Sequence, residues 1–138
     1  DGTVDNTDVF DHCFALDNIV VSSDNPYFYT VDNKILIKNN ETNTALEFVA
    51  YTLDTLVIPD GVTMIASQAA YDRASLTSVE IPASVTHINR AAFSYCTNLR
   101  NITFKGTMEQ WNAITFGAVW NNRVPATKVV CSDGTVWL

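Results

Sequence analysis

Apolar residues recur at a constant interval of 23 positions through the middle of the chain. The clearest series are Leu56–Val79–Ile102, Ile58–Ile81–Phe104, Val62–Val85 and Leu76–Leu99. The residues between these positions change freely in size and charge. Stacked coils of a repeat protein share inward positions and vary outward ones, so this spacing predicts a solenoid in which each coil covers the apolar face of the next.

Each coil contains two predicted extended segments and one predicted helical turn. The pattern L-x-x-V-x-I, which ends at Ile81, alternates apolar and polar residues as a short strand does. Pro82 lacks the amide hydrogen that a further ladder bond needs, so the strand ends there. The V-T-x-I pattern that follows predicts a second extended arm with Val85 and Ile88 inward. In residues 88–96 the apolar side chains are four apart, which predicts a helical turn.

Two segments interrupt the 23-residue period. Residues 22–55 carry apolar and β-branched runs on either side of the polar stretch NNETNT, which predicts a β-hairpin inserted into a coil. Residues 105–138 begin with TMEQWNAI after Gly106, a predicted helix with Thr107 as its N-cap. They end in two apolar runs around the turn signal Ser132-Asp-Gly. All 3 tryptophans lie in this segment and suit a cap over the open end of the solenoid.

We therefore expect one domain of the α+β repeat class, a solenoid of short strands and short helical turns. Its predicted parts are a partial repeat at 10–21, the hairpin insert at 22–55, two 23-residue repeats at 56–104, and the cap at 105–138. The partial repeat has the spacing F-x-x-C-x-x-L-x-x-I-x-V, and the same spacing returns from Phe93 to Phe104.

The segment IPASVTHINRAAFSYCTNLRNIT (81–103) resembles, almost throughout, the repeat unit IPxSVTxIGxxAFxxCxxLTSVx of BspA-like leucine-rich repeat proteins. Asn89 departs from that unit, which usually has Gly there, and Ala70 and Arg73 stand where the unit usually has Phe and Cys. The insert and the C-terminal segment also resemble parts of family members. The resemblance implies a leucine-rich-repeat solenoid from a bacterial cell-surface or secreted protein linked to adhesion.

The composition is that of an ordinary globular domain, with 138 residues of which 47% are hydrophobic and 17% charged. A net charge of −7 disfavours nucleic acid and anionic membrane surfaces as partners. No apolar run approaches the roughly 20 residues of a membrane span. The polar start DGTVDNTDVFD has no signal-peptide pattern, and we expect it to begin a mature or trimmed segment, which leaves the compartment open.

The side chains capable of catalysis or metal binding form no recognisable motif. Cys13, Cys96 and Cys131 lack the C-x-x-C spacing of zinc and redox sites. His12 is not expected to act as the base for Cys13, because sequence neighbours point to different faces, and His87 is expected to face solvent. The N-terminal aspartates lack the spacing of a calcium loop. We expect no catalytic residue, no metal and no cofactor.

The repeat register also predicts that Cys13 and Cys96 are not joined by a disulfide. The two residues occupy the same column of the coil but are separated by at least one intervening coil. Two strand spacings amount to roughly 10 Å, whereas a disulfide needs Cα atoms within about 7 Å.

Outward strand positions are the candidate binding residues, since regular columns give solenoids extended binding surfaces. The first column is Asn18, Thr55, Ser78 and Asn101, and the second is Val20, Val57, Glu80 and Thr103. The alternative is that these columns are only the solvated face. The triplet Tyr27-Phe28-Tyr29 is a second candidate, because aromatic residues are enriched in interfaces, unless it packs the insert.

We expect a monomeric, non-catalytic module that binds a protein of the host matrix or of a cell surface. The alternatives are a carbohydrate-binding module, a structural spacer without a ligand, and a hydrolase. Sugar binding that depends on surface aromatics would favour the first alternative. Indifference to changes in the outward columns would favour the second, and hydrolysis abolished by Cys13→Ala or His87→Ala the third.

Overall fold

The computed structural model describes residues 16–138, which form eleven short strands and one short helix. The first six strands are β1 (Phe28–Val31), β2 (Ile35–Asn39), β3 (Thr44–Val49), β4 (Thr55–Val57), β5 (Met64–Ile65) and β6 (Ser78–Ile81). The remaining elements are β7 (His87–Ile88), β8 (Asn101–Phe104), α1 (Met108–Asn112), β9 (Thr115–Phe116), β10 (Lys128–Cys131) and β11 (Gly134–Trp137). The predictions that involve Phe10, His12 and Cys13 lie outside the described residues.

Five strands form one sheet in the order β4-β6-β8-β10-β11. In its parallel part, Leu56 lies opposite Val79 and Val79 lies opposite Ile102. The 23-residue series of the sequence are therefore direct neighbours in the sheet. Strand β10 continues the parallel order with Val129 opposite Ile102, and β11 closes this edge as its antiparallel partner.

The other six strands form a second sheet in the order β1-β2-β3-β5-β7-β9. Strands β1, β2 and β3 are antiparallel to one another, whereas β3, β5, β7 and β9 are parallel. The V-T-x-I arms of the repeats end in β5 and β7, where Ile65 lies opposite Ile88. The chain thus passes from one sheet to the other in every coil, which is the architecture of a solenoid.

The main apolar core lies between the two sheets. Its largest side chains with under 2% exposure are Phe93, Phe104, Ile37, Leu46, Leu56, Ile58, Ile65, Leu76, Ile81, Ile88, Leu99 and Ile102. Most of these belong to the series that repeat every 23 residues. Removal of this apolar surface from water is the main stabilising contribution to the stack, because no single coil can bury its inward face alone.

Residues 88–96 do not form the predicted helical turn. They form consecutive tight turns in which Ala91 and Tyr95 have φ angles of 56° and 64°, a left-handed conformation that a right-handed helix does not contain. Alternate amides donate to carbonyls of the following coil, as Phe93 does to Trp120 at 2.8 Å. The four-residue apolar spacing identified the buried side chains, but it could not distinguish a helix from a chain of turns.

The helix α1 begins where the sequence predicts. The hydroxyl of Thr107 accepts a hydrogen bond from the Gln110 amide at 3.1 Å, and the Gln110 side chain accepts one from the Thr107 amide at 2.9 Å. This reciprocal pair is a capping box. Asp133, in the turn between β10 and β11, accepts a hydrogen bond from the Met108 amide at 2.7 Å, so the turn is fixed to the start of the helix.

An aromatic cluster surrounds Trp111, which is 2% exposed. The centre of its ring system lies 5.4 Å from that of Phe104, 5.2 Å from that of Phe116 and 5.9 Å from that of Trp120. These rings come from β8, α1, β9 and the turns that follow β9. The cluster therefore joins α1 to the core of the stacked coils.

A second, smaller apolar cluster lies on the other side of strands β2 and β3. Ile35 and Ile37 point into the main core, whereas Leu36 packs with Ile19 and Phe48 in the second cluster. Both faces of this part of the sheet are thus buried, and residues 16–21 supply part of the cover.

Candidate binding surface

The five-stranded sheet presents its outward side chains on one continuous surface, which we call the ladder face. One column of the ladder face contains Thr55, Ser78, Asn101, Lys128 and Trp137, and the next contains Val57, Glu80, Thr103, Val130 and Thr135. Strands lie about 4.8 Å apart, so the five strands span about 19 Å. Ten side chains from five separate segments therefore form a single surface.

Six of the eight predicted binding residues lie on the ladder face, in the predicted columns. Thr55, Val57, Asn101 and Thr103 are exposed, and Ser78 and Glu80 are half-buried. One pair of neighbours within a column interacts directly: the hydroxyl of Ser78 donates a hydrogen bond to the hydroxyl of Thr55 at 3.3 Å.

The other two predicted residues, Asn18 and Val20, lie before the first strand and outside these columns. The amide of Ile19, between them, donates to the carbonyl of Asn33 at 2.8 Å, and the side chain of Ile19 packs in the second apolar cluster. Residues 16–21 therefore lie beside the β1–β2 turn. The spacing shared by residues 10–21 and the later repeats predicted columns that extend to Asn18 and Val20. Residues 22–54 separate this segment from β4, however, and the repeat register does not continue across them.

Four residues of the ladder face were not predicted from the sequence: Lys128, Val130, Thr135 and Trp137. Val129 follows Ile102 by 27 positions instead of 23, so the repeat period did not include strand β10. KVVC has three apolar residues in a row, so its sequence does not show the alternation of burial that the structure has, with Val129 and Cys131 buried and Lys128 and Val130 exposed.

Charges on the ladder face are concentrated beside its centre. The ammonium of Lys105, just after β8, lies 2.7 Å from a carboxylate oxygen of Glu80 and 3.9 Å from one of Asp60. The hydrogen bond to Glu80, followed by the attraction of the two carboxylates, raises the pKa of Lys105. At the β10–β11 end of the ladder face, the ammonium of Lys128 lies 5.7 Å from the ring centre of Trp137.

The residues with catalytic potential lie apart from the ladder face. Cys96 is fully buried and carries a free thiol, which donates to the carbonyl of Ala70 at 2.9 Å. Burial raises the pKa of Cys96 to about 11. Cys131 is also a buried free thiol, and burial raises its pKa. His87 lies on β7 in the other sheet, with its Nδ1 2.9 Å from the Thr86 hydroxyl.

Cys96 is expected to react with iodoacetamide at pH 8 at least about a hundredfold more slowly in the folded protein than in urea. The thiolate is the reactive form, and a pKa of about 11 leaves far less thiolate at this pH than the ordinary value near 8.5 does. Site-resolved mass spectrometry of alkylated peptides gives the rate for each cysteine. Equal rates for Cys96 in the folded and unfolded protein would contradict its placement.

Within residues 16–138, no helix is both long and apolar enough to cross a lipid bilayer. The same stretch contains no group of three or more His, Cys, Asp and Glu side chains arranged to hold a metal ion.

The parallel, in-register coils define the protein as a solenoid of stacked repeats. The chain matches the family described as the BspA type leucine rich repeat region in six copies, over residues 6–122. It belongs to that family, as the resemblance of residues 81–103 implied.

Two solved structures share the fold. One is a leucine-rich repeat protein from Bacteroides capillosus ATCC 29799, with a TM-score of 0.55 and 17% identity, covering 77% of this chain and 99% of that chain. The other is a leucine rich cell surface protein from Faecalibacterium prausnitzii A2-165, with a TM-score of 0.53 and 19% identity, covering 87% of this chain and 43% of that chain. No curated protein is detectably similar to this sequence.

Proposed function

We propose that this protein is a non-catalytic binding module that recognises a protein partner through the ladder face. One observation carries the proposal: large apolar side chains are exposed on a surface whose backbone is held by a continuous sheet. Trp137 is 72% exposed, Val57 48% and Val130 44%. Tryptophan is enriched among the residues that dominate binding energy in interfaces, and a rigid sheet lowers the entropy lost on binding.

The charged groups of the ladder face suit a protein partner better than a nucleic acid. Glu80 and Asp60 flank Lys105, so both signs of charge occur within a short distance. Mixed charges beside exposed apolar groups are typical of protein interfaces, which have an apolar centre and a polar rim. A phosphate backbone would require a predominantly basic surface.

The proposal places the protein outside the cell, on the surface or secreted. It is supported by family membership and by the similar fold of the F. prausnitzii protein, which is described as a cell surface protein. Adhesion to a host matrix or to another cell is then the form of binding that we propose. The chain is expected to act as a monomer.

Substitutions Trp137→Ala and Val130→Asp are each expected to weaken binding at least tenfold, because they remove apolar contact area from the ladder face. Val119→Asp is the matched control, since Val119 is 55% exposed but lies in the turns after β9 and outside the ladder face. Surface plasmon resonance against a panel of purified extracellular-matrix and cell-surface proteins measures the affinities. An equal loss for Val119→Asp, or no loss for either ladder variant, would contradict the proposed surface.

A carbohydrate ligand is the second candidate, and exposed tyrosines favour it. Tyr27 is 59% and Tyr29 41% exposed; Tyr29 lies on β1 and Tyr27 directly before it. Strand β1 lies at the edge of the six-stranded sheet and not in the sheet that carries the ladder face. Glycan-array binding lost in Tyr27→Ala and Tyr29→Ala but retained in Trp137→Ala would select this alternative.

A further inference from the structure

Strand β4 is the edge of the five-stranded sheet in the described part of the chain. The amide of Ile58 donates to the Glu80 carbonyl in β6 at 3.0 Å, and the carbonyl of Asp54 accepts from the Thr77 amide at 2.8 Å. Backbone groups of successive strand residues point to opposite edges. The N–H and C=O groups of Thr55 and Val57 therefore point away from β6, and residues 16–138 supply no backbone partner for them.

A cleft of about 380 Å³ lies along this open edge, and we call it the edge slot. Its apolar lining residues are Val31, Ile35, Leu53, Val57 and Pro59, and the charged side chains of Asp32 and Lys34 also line it. Thr55 and Val57 belong both to the slot and to the ladder face, so the slot is continuous with that surface. Open backbone groups beside an apolar cleft match an extended strand better than they match a compact ligand.

The charge of Lys34 is already satisfied inside the protein. Its ammonium donates to the carboxylate of Asp17 and, at 2.7 Å, to the Asp17 carbonyl. The hydrogen bond from Lys34, followed by one from Thr52, lowers the pKa of Asp17, so this carboxylate stays charged at neutral pH. The carboxylate of Asp32 also lines the slot, so the slot disfavours an acidic side chain, and its five apolar lining residues favour an aliphatic one.

We propose that the edge slot binds an extended strand of a protein partner, which pairs with β4 and places an aliphatic side chain against Val57 and Leu53. The proposal rests on the proposed function in that the partner is a protein. The inner strands β6, β8 and β10 each form hydrogen bonds with a neighbouring strand along both edges. A partner strand on β4 would give β4 the same two-sided pairing. Backbone hydrogen bonds supply affinity, and the slot selects the side chain.

A second copy of this chain is a poorer occupant. Strand β4 has three residues, about 10 Å of strand, so two copies of β4 would share only a short pairing. Short edge strands are one means by which proteins avoid self-pairing.

The test uses the ¹⁵N-labelled protein and a synthetic peptide, acetyl-LTSVEIP-amide, which copies the strand that pairs with the other edge of β4. At about 1 mM peptide, a concentration that detects weak binding, we expect chemical-shift changes at Thr55, Val57 and Leu53. Amide exchange at Thr55 and Val57 is expected to slow at least tenfold. Backbone-bonded strand addition predicts at least tenfold weaker binding of the same peptide with N-methylated Val and Ile.

The matched protein variants are Val57→Pro and Val57→Ile. Proline removes the amide hydrogen that points to the open edge, and edge strands tolerate it. It also exchanges the valine side chain for a ring, so the N-methylated peptide provides the independent test of the backbone hydrogen bonds. We expect Val57→Pro to lose at least tenfold in peptide affinity and Val57→Ile to retain it. Equal binding of the N-methylated peptide, absence of shifts at β4, or concentration-dependent dimerisation through β4 in sedimentation would each overturn the proposal. Val119→Asp, outside both the slot and the ladder face, should leave peptide binding unchanged. Failure of the slot is distinguishable from failure of the ladder face, because the latter is measured by the affinity of Trp137→Ala for a whole protein partner.

Discussion

Replacing Trp111 with alanine is expected to lower the free energy of unfolding by about 3–5 kcal/mol, as is typical of buried aromatic residues. Trp111 is 2% exposed and contacts Phe104, Phe116 and Trp120, so truncation removes three ring contacts and leaves a cavity. Whole domains are stable by only about 5–15 kcal/mol, and one substitution thus removes a large share. Urea unfolding followed by far-UV circular dichroism measures the change.

Trp137→Ala is the matched control for this substitution, because the same side chain is removed from a position that is 72% exposed. Within residues 16–138, the described contact of the Trp137 ring is with the ammonium of Lys128, 5.7 Å from the ring centre. An exposed cation–π contact of this kind contributes about 0.5–1 kcal/mol. A loss below about 1 kcal/mol for Trp111→Ala as well would remove the physical basis for our proposal that residues 105–138 cap the solenoid. A large loss confined to Trp111→Ala supports that proposal.

The stacked part of the fold could be predicted because one physical constraint repeats in it. Leu56, Val79 and Ile102 must occupy the same buried position in successive coils, and the sequence preserves their spacing of 23 residues. The capping box at Thr107 was also predictable, since an N-cap depends only on residues within one turn of the helix. Local and strictly periodic requirements are therefore visible in a single sequence.

The failed predictions involve interactions that change from coil to coil. The turns at 88–96 satisfy their amides with carbonyls of the next coil, and a pattern of apolar residues does not contain that information. Strand β10 joins the ladder face 27 residues after its neighbour, because α1 and β9 lie between them. Asn18 and Val20 were predicted to lie on the ladder face because residues 10–21 have the same spacing as a later repeat. The stack is interrupted between that segment and β4, so they lie elsewhere.

The position of Arg73 shows how one coil adapts to a different neighbour. Arg73 corresponds to Cys96 in the next coil and is 2% exposed. Cys96 donates to the carbonyl of Ala70 in the preceding coil, and Arg73 likewise donates through Nε to the carbonyl of Val49, at 2.5 Å. The preceding element is β3 at this point, and the longer side chain reaches it. The sequence identified the departure from the repeat unit, but not the acceptor.

Three further contacts hold the guanidinium of Arg73 in this place. One of its terminal nitrogens donates to the carbonyl of Tyr71. Its central carbon lies 3.6 Å from the ring centre of Tyr51 and 4.7 Å from that of Phe48. Burial lowers the pKa of Arg73, but an arginine remains charged at neutral pH because its ordinary pKa is far above it. The cation is thus compensated by two carbonyls and two aromatic faces, and the carboxylate of Asp72 adds electrostatic attraction.

Arg73→Ala is therefore expected to cost about 3–5 kcal/mol of unfolding free energy. Each buried carbonyl left without a donor costs about 1–3 kcal/mol, and a desolvated cation–π contact contributes about 2 kcal/mol. Arg73→Met keeps the apolar stem but not the donors, and we expect it to recover only the packing part of the loss. Arg100→Ala, at an exposed position, should change stability by less than about 0.5 kcal/mol. If Arg73→Met were as stable as the natural protein in urea unfolding, the hydrogen bonds to Val49 and Tyr71 would contribute nothing to joining β3 to the first repeat.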